Sequence, residues 1–99
     1  MTVIDESAYR KLAEADLENL IHPQHYSPDH QEPVIFDHGK GVWLTDVKGK
    51  SYIDGLSSLW NVAVGHGREE LADAAANQIR KVAFTNNYTG YSNVPAIEL

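Results

Sequence analysis

Apolar residues recur at three- and four-residue intervals at Tyr9, Leu12, Ala13, Leu17, Leu20 and Ile21. That spacing lines one face of a helix that Asp5 or Ser7 can cap and that ends near Leu20. Glu14, Asp16 and Glu18 fall mostly off the stripe. A short amphipathic helix gains little from its own hydrogen bonds, so it is expected to dock on a larger body or a partner. The period is lost over residues 21–33, where three prolines and many polar groups predict a loop.

Strand patterns follow at 34–37 and 42–46, separated by Gly39-Lys40-Gly41 as the expected turn. Val42 and Leu44 would share one face, Trp43 and Thr45 the other. Asp46-Val47-Lys48-Gly49-Lys50 predicts a second tight turn with Gly49 in the left-handed position, and residues 51–54 return as a third strand. Gly55-Leu56-Ser57-Ser58 reads as a flexible stretch, and 60–64 as a short buried strand. Trp60, just past that stretch, is placed to wall a pocket.

From Arg68 the period returns to helical. Leu71, Ala74, Ala75, Ile79 and Val82 form one stripe, with Glu69, Glu70 and Asp73 early and Arg80 and Lys81 late. That order of charge suits the helix dipole. A polar, aromatic loop then runs to Ser92 or Asn93, where a cap followed by Pro95 predicts a further helix. Leu99 comes barely one turn later, so the chain reads as cut from a longer one.

Composition narrows the class. Ninety-nine residues make at most one small domain, with 42% hydrophobic and 22% charged residues, a globular balance. The net charge is -6, and no lysine–arginine cluster exists to neutralise phosphates, which argues against nucleic acid or an anionic membrane as partner. There is no cysteine, hence no disulfide, zinc-thiolate or thiol nucleophile. The N-terminus is too polar for a secretory signal, so the cytoplasm is the expected place.

The candidate chemistry is thin. His22, His25 and His30, with His38 further on, suggest a histidine-based metal module, but their spacing matches no zinc motif. Asp46 and Asp54 are a conceivable acid/base pair, although aspartate before a turn more often accepts backbone hydrogen bonds. Gly65-His66-Gly67 before a helix invites a phosphate, yet Glu69 and Glu70 in the first turn would repel one. A tight strand-to-helix connection is the expected role.

The run DGLSSLWNVAVGHGREELADAA, with GKGVWLTDVKGKSYIDG before it and SNVPAIEL after it, resembles the class III (omega) aminotransferases. The resemblance covers nearly the whole chain but only the N-terminal part of that family. It implies an α+β N-terminal segment of a fold-type I enzyme that uses pyridoxal 5'-phosphate: an amphipathic helix, an antiparallel hairpin or small sheet, and further helices. On that pattern residues 1–38 are an N-terminal arm and 39–67 the hairpin and pocket loop. Residues 68–99 are a helix, an interface loop and the start of the next helix.

The resemblance also implies roles. Ser57, Leu59 and Trp60 would line the substrate pocket above the cofactor, with Trp60 an apolar wall restricting the amine. Tyr88, beside Thr89 and Gly90, falls on a loop that crosses a homodimer interface into the neighbouring site. The family's aromatic after a His-Pro pair is absent, since His22-Pro23 is followed by Gln24; Tyr26 is the nearest substitute. The implied activity moves an amino group between an amine or omega-amino acid and a keto acid such as pyruvate. Lys11, Lys40, Lys48, Lys50 and Lys81 lie on expected turns and helix surfaces, none in the family's Schiff-base context. These residues alone are therefore expected to be inactive and only marginally folded. An alternative is a non-catalytic fragment that docks on a full-length aminotransferase subunit.

Overall fold

Asp5 starts the first helix, α1 (Glu6–Asn19), by turning extended and accepting the Ala8 amide at 2.8 Å. This satisfies one of the donors that a helix start leaves without a partner. The computed structural model describes residues 3–24, 26, 28 and 32–99. Of the expected stripe, Tyr9 and Ala13 are buried, while Leu12, Leu17, Leu20 and Ile21 stay exposed. Tyr9 is the anchor. Its hydroxyl donates to the Pro33 carbonyl at 3.0 Å, and Lys48 Nζ stands 3.5 Å from its ring centroid. Lys48 also pairs with Glu6 at 3.3 Å. The helix thus docks within its own chain.

The sheet has three antiparallel strands in the order β1 (Phe36–Lys40), β2 (Trp43–Asp46) and β3 (Ser51–Ile53). The first strand lies further along than its apolar pattern predicts. Gly39 and Lys40 pair with Leu44 and Trp43 instead of forming the turn, and the reversal falls at Gly41 and Val42. The reason is a close approach: a Cβ on Gly39 would meet His66 Cγ at 2.7 Å. Glycine serves there to admit a neighbour, not to bend the chain.

The second turn forms as expected. Gly49 has φ +83°, and its amide donates to the Asp46 carbonyl at 2.9 Å. Asp46 is buried and structural. Its Oδ1 accepts the Lys48 and Lys50 amides and its Oδ2 accepts the Tyr52 hydroxyl, all at 2.9 Å. Burial opposes its charge, but the Lys50 amide, the Tyr52 hydroxyl and the Lys48 amide outweigh that and hold its pKa below the usual value.

No strand forms over 60–64. Residues Ser57–Trp60 make a short helical turn, α2, of left-handed twist, and turns lead on to an isolated bridge between Gly41 and His66. In place of the expected buried strand, the Asn61 and Val62 amides donate to the Ser57 carbonyl and the Gly65 amide to the Val62 carbonyl, and Val64 is left 57% exposed.

The described chain divides into two units, one ending at Gly67 and one spanning Arg68–Leu99. The second holds α3 (Glu69–Lys81) and α4 (Val94–Glu98). In α3 the acids come first and Arg80 and Lys81 last, as the dipole favours. Asn93 caps α4 by accepting the Ala96 amide at 3.0 Å, with Pro95 in the first turn. Leu71, Ile79, Phe84 and Ile97 remain exposed. Helices with one small antiparallel sheet make this an α+β segment.

Candidate functional site

In the first unit several hydrogen bonds converge on Asp54, the residue after β3. Its amide donates to the Val42 carbonyl at 2.8 Å, which fixes it against the β1–β2 reversal. Its Oδ1 accepts the Ser58 amide at 2.8 Å. Its Oδ2 accepts the Ser58 hydroxyl at 2.9 Å and lies 2.8 Å from His66 Nε2. The carboxylate side chain is 8% exposed. The Ser58 amide first, then His66, hold its pKa down at about 2. With the carboxylate ionised, His66 Nε2 is the donor.

Those bonds hold an unusual backbone. Ser57, Ser58, Leu59 and Trp60 take φ of 50°, 47°, 63° and 69°. Left-handed helical geometry costs a residue with a Cβ roughly 1–2 kcal/mol. No glycine or asparagine relieves it over these four positions. The turn persists because its surroundings over-determine it. The Trp60 amide donates to Leu56, and the Asn61 and Val62 amides both donate to the Ser57 carbonyl. The Asn61 side-chain amide donates to the carbonyls of Ser58 and Leu59. Within the stretch expected to be flexible, Leu56, Ser57 and Ser58 thus take part in hydrogen bonds of the turn.

This turn brings Leu59 and Trp60 together, and both point away from the unit. Trp60 is 80% exposed. A recess of about 300 Å³ beside the turn is lined by Gly41, Val42, Asp54, Ser57, Val62 and His66 among others, and Trp60 stands outside it.

Gly65-His66-Gly67 is a clamp that sequence reasoning read only as a connection. The Gly41 amide donates to the His66 carbonyl at 3.0 Å, and the His66 amide returns a bond to Gly41 at 2.8 Å. A Cβ on Gly67, whose φ is +68°, would sit 2.9 Å from the Gly39 carbonyl oxygen. The paired glycines were the one signal that a backbone passes close by. Nothing in the spacing linked His66 to Asp54.

Tyr88 belongs to the second unit and is 77% exposed. Its amide donates to Asn86 Oδ1 at 3.0 Å, and Thr89 and Gly90 turn the chain with positive φ. Asn93, besides capping α4, donates to Thr85 Oγ1 and Asn87 Oδ1, both at 3.2 Å. The loop that carries Tyr88 is therefore tied at its base.

The remaining candidates separate. His22 Nε2 lies 2.9 Å from Asp16 Oδ2, and His38 Nδ1 lies 2.9 Å from Asp37 Oδ2. His25 and His30 lie outside the described residues. Among the described residues no group of three histidines or acids is placed to hold a metal. Tyr26, the substitute for the missing aromatic, is exposed. All five lysines are exposed; Lys40 ends β1 rather than occupying a turn, and Lys50 stands over the Tyr52 ring. Among the described residues no helix is long and apolar enough to cross a membrane.

Comparison with known proteins matches residues 25–98 to the family described as aminotransferase class-III. The adenosylmethionine-8-amino-7-oxononanoate aminotransferase of Anoxybacillus flavithermus is 44% identical over 69 residues, covering 70% of this chain and 15% of its own length. The taurine–pyruvate aminotransferase of Bilophila wadsworthia is 40% identical over 77 residues, covering 75% of this chain and 16% of its own. Among solved structures, the (S)-enantioselective omega-transaminase of Thermomicrobium roseum superposes with a TM-score of 0.86 at 36% identity. It covers 99% of this chain and 22% of that one. The chain thus spans about one sixth of these curated relatives and about one fifth of the solved enzyme.

Proposed function

The chain belongs to the class-III aminotransferase family, and from that premise we propose that it supplies the N-terminal, pocket-walling part of a transaminase. The reaction is transfer of an amino group from an amine or omega-amino acid to a keto acid such as pyruvate. Pyridoxal 5'-phosphate supplies the electron sink for that chemistry when bound. The residues of this chain do not by themselves fit that group. A Schiff-base lysine is activated by desolvation or a neighbouring cation, and all five lysines are exposed to water. No step is therefore assigned to them, and these residues alone are inactive in this reading.

What the chain contributes is shape. The single observation that carries the proposal is the outward Trp60 indole on a turn fixed by Asp54 and Asn61. A rigid aromatic face of that kind limits the size of the amine group beside it and excludes water. Leu59 extends the same wall. Tyr88 serves the neighbouring subunit's pocket in a homodimer, a role supported by its exposure on a loop held at its base.

The test is a chimera. Residues 25–98 replace the matching segment of the Thermomicrobium roseum omega-transaminase, and amino transfer to pyruvate is measured. Retained transfer is expected; a folded, cofactor-loaded chimera without transfer would overturn the proposal. In parallel, the 99-residue chain mixed with stoichiometric pyridoxal phosphate is expected to give no saturable aldimine band and no borohydride-fixed lysine.

A second reading is favoured by the exposed Leu71, Ile79 and Tyr88 of the second unit. In it the chain docks, without catalysis, on a complete aminotransferase subunit. Co-sedimentation with such a subunit supports it, and separate sedimentation at all concentrations removes it.

A further inference from the structure

We propose that Asp54 and His66 are positioning residues for amine selectivity: together they hold the left-handed turn that sets where Trp60 stands. The inference rests on the reading of Trp60 as a pocket wall, and the two are separable by experiment.

Three anchors meet at this pair. Asp54 is fixed at the end of β3 by its amide hydrogen bond to the Val42 carbonyl, and His66 is fixed by its reciprocal pair of backbone hydrogen bonds with Gly41 at the β1–β2 reversal. The imidazole spans 12 positions of sequence to reach the carboxylate at 2.8 Å. Both side chains are largely withdrawn from water, at 8% and 17% exposure. The remaining capacity of the carboxylate goes to Ser58, through both its amide and its hydroxyl.

Ser58 is the second of four consecutive residues with positive φ and precedes Trp60 by two positions. Nothing in Ser-Ser-Leu-Trp favours that conformation. Without the carboxylate, two donors of Ser58 lose their acceptor, and only the bonds made by Trp60, Asn61 and Val62 still oppose the strain. The backbone then relaxes toward the right-handed or extended regions, which redirects the indole. Without His66, one oxygen of Asp54 loses its charge-assisted partner, and the carboxylate is free to rotate away from the turn.

The turn is read directly by nuclear magnetic resonance on the 99-residue chain. Strong intraresidue amide–α-proton contacts at Ser58 and Leu59 report positive φ, and cross-strand contacts between β1 and β2 and between β2 and β3 report the fold. Asp54→Ala and His66→Ala are expected to lose the positive-φ signature and shift the Trp60 indole while the sheet contacts persist. His66→Gln keeps a donor and is expected to restore the signature; if Asp54→Ala fails to fold, the two His66 variants give the answer. An unchanged signature in His66→Ala overturns the proposal. In the chimera, His66→Ala is expected to shift the bulky-to-small amine ratio of kcat/KM in the direction of Trp60→Ala, by about tenfold. A lost signature with no effect of Trp60→Ala on that ratio removes the wall reading and, with it, the selectivity role of the pair.

Discussion

The Tyr9 hydroxyl donates to the Pro33 carbonyl at 3.0 Å across 24 positions of sequence. This bond joins α1 to the segment that enters the sheet, and Tyr9 is 3% exposed where it forms. Loss of a buried aromatic costs about 3–5 kcal/mol, a large share of the roughly 5–15 kcal/mol that holds an ordinary domain. Tyr9→Ala is expected to abolish a cooperative urea transition. Tyr9→Phe keeps the ring and loses one hydrogen bond, so its midpoint is expected to fall by the equivalent of about 1 kcal/mol.

Two glycines predict opposite outcomes. Gly67 has φ +68°, and an added Cβ would press on the Gly39 carbonyl at 2.9 Å. Gly67→Ala is expected to cost at least about 1–2 kcal/mol from the backbone alone. Gly55 lies outside the left-handed region with nothing within 4 Å of an added Cβ. Gly55→Ala is expected to be neutral or to stabilise by up to about 1 kcal/mol, because it restricts the unfolded chain. Paired denaturation curves check both.

Acid sensitivity follows from Asp54. Its folded pKa is about 2 against an ordinary 3.8, with the Ser58 amide and then His66 as the chief causes. A depressed carboxylate stabilises the folded state fully above its unfolded pKa, and that contribution disappears as pH falls through the folded value. The stability gap between the natural chain and Asp54→Asn is therefore expected to be constant down to about pH 4 and to shrink between about 4 and 2. Midpoints measured for both chains across that window test it.

Where structure depends on neighbours in sequence, the residues announced it. The Asp5 and Asn93 caps, the charge order of α3 and the Gly49 turn all use groups within a few positions of one another. Gly39 was misread because glycine serves a turn and a close approach equally well, and only the placement of His66 decides between them. The left-handed twist of Ser57–Trp60 was invisible for a related reason. It is imposed by Asp54, Asn61 and His66, not by any preference of Ser-Ser-Leu-Trp. The sequence marked Trp60 by its place after a small-residue stretch, but not the backbone that carries it; Leu59 and Tyr88 were singled out by resemblance to a family, not by their own chemistry.

The central claim is that the Trp60 indole sets the size of amine admitted. It is tested most directly by comparing kcat/KM for a bulky and a small amine in the chimera with and without Trp60→Ala. In the 99-residue chain, where Trp60 is 80% exposed, the substitution is expected to leave folding within about 0.5 kcal/mol of the original. The predicted result is a rise of about tenfold or more in the bulky-to-small ratio. An unchanged ratio in a folded, active chimera would contradict the account.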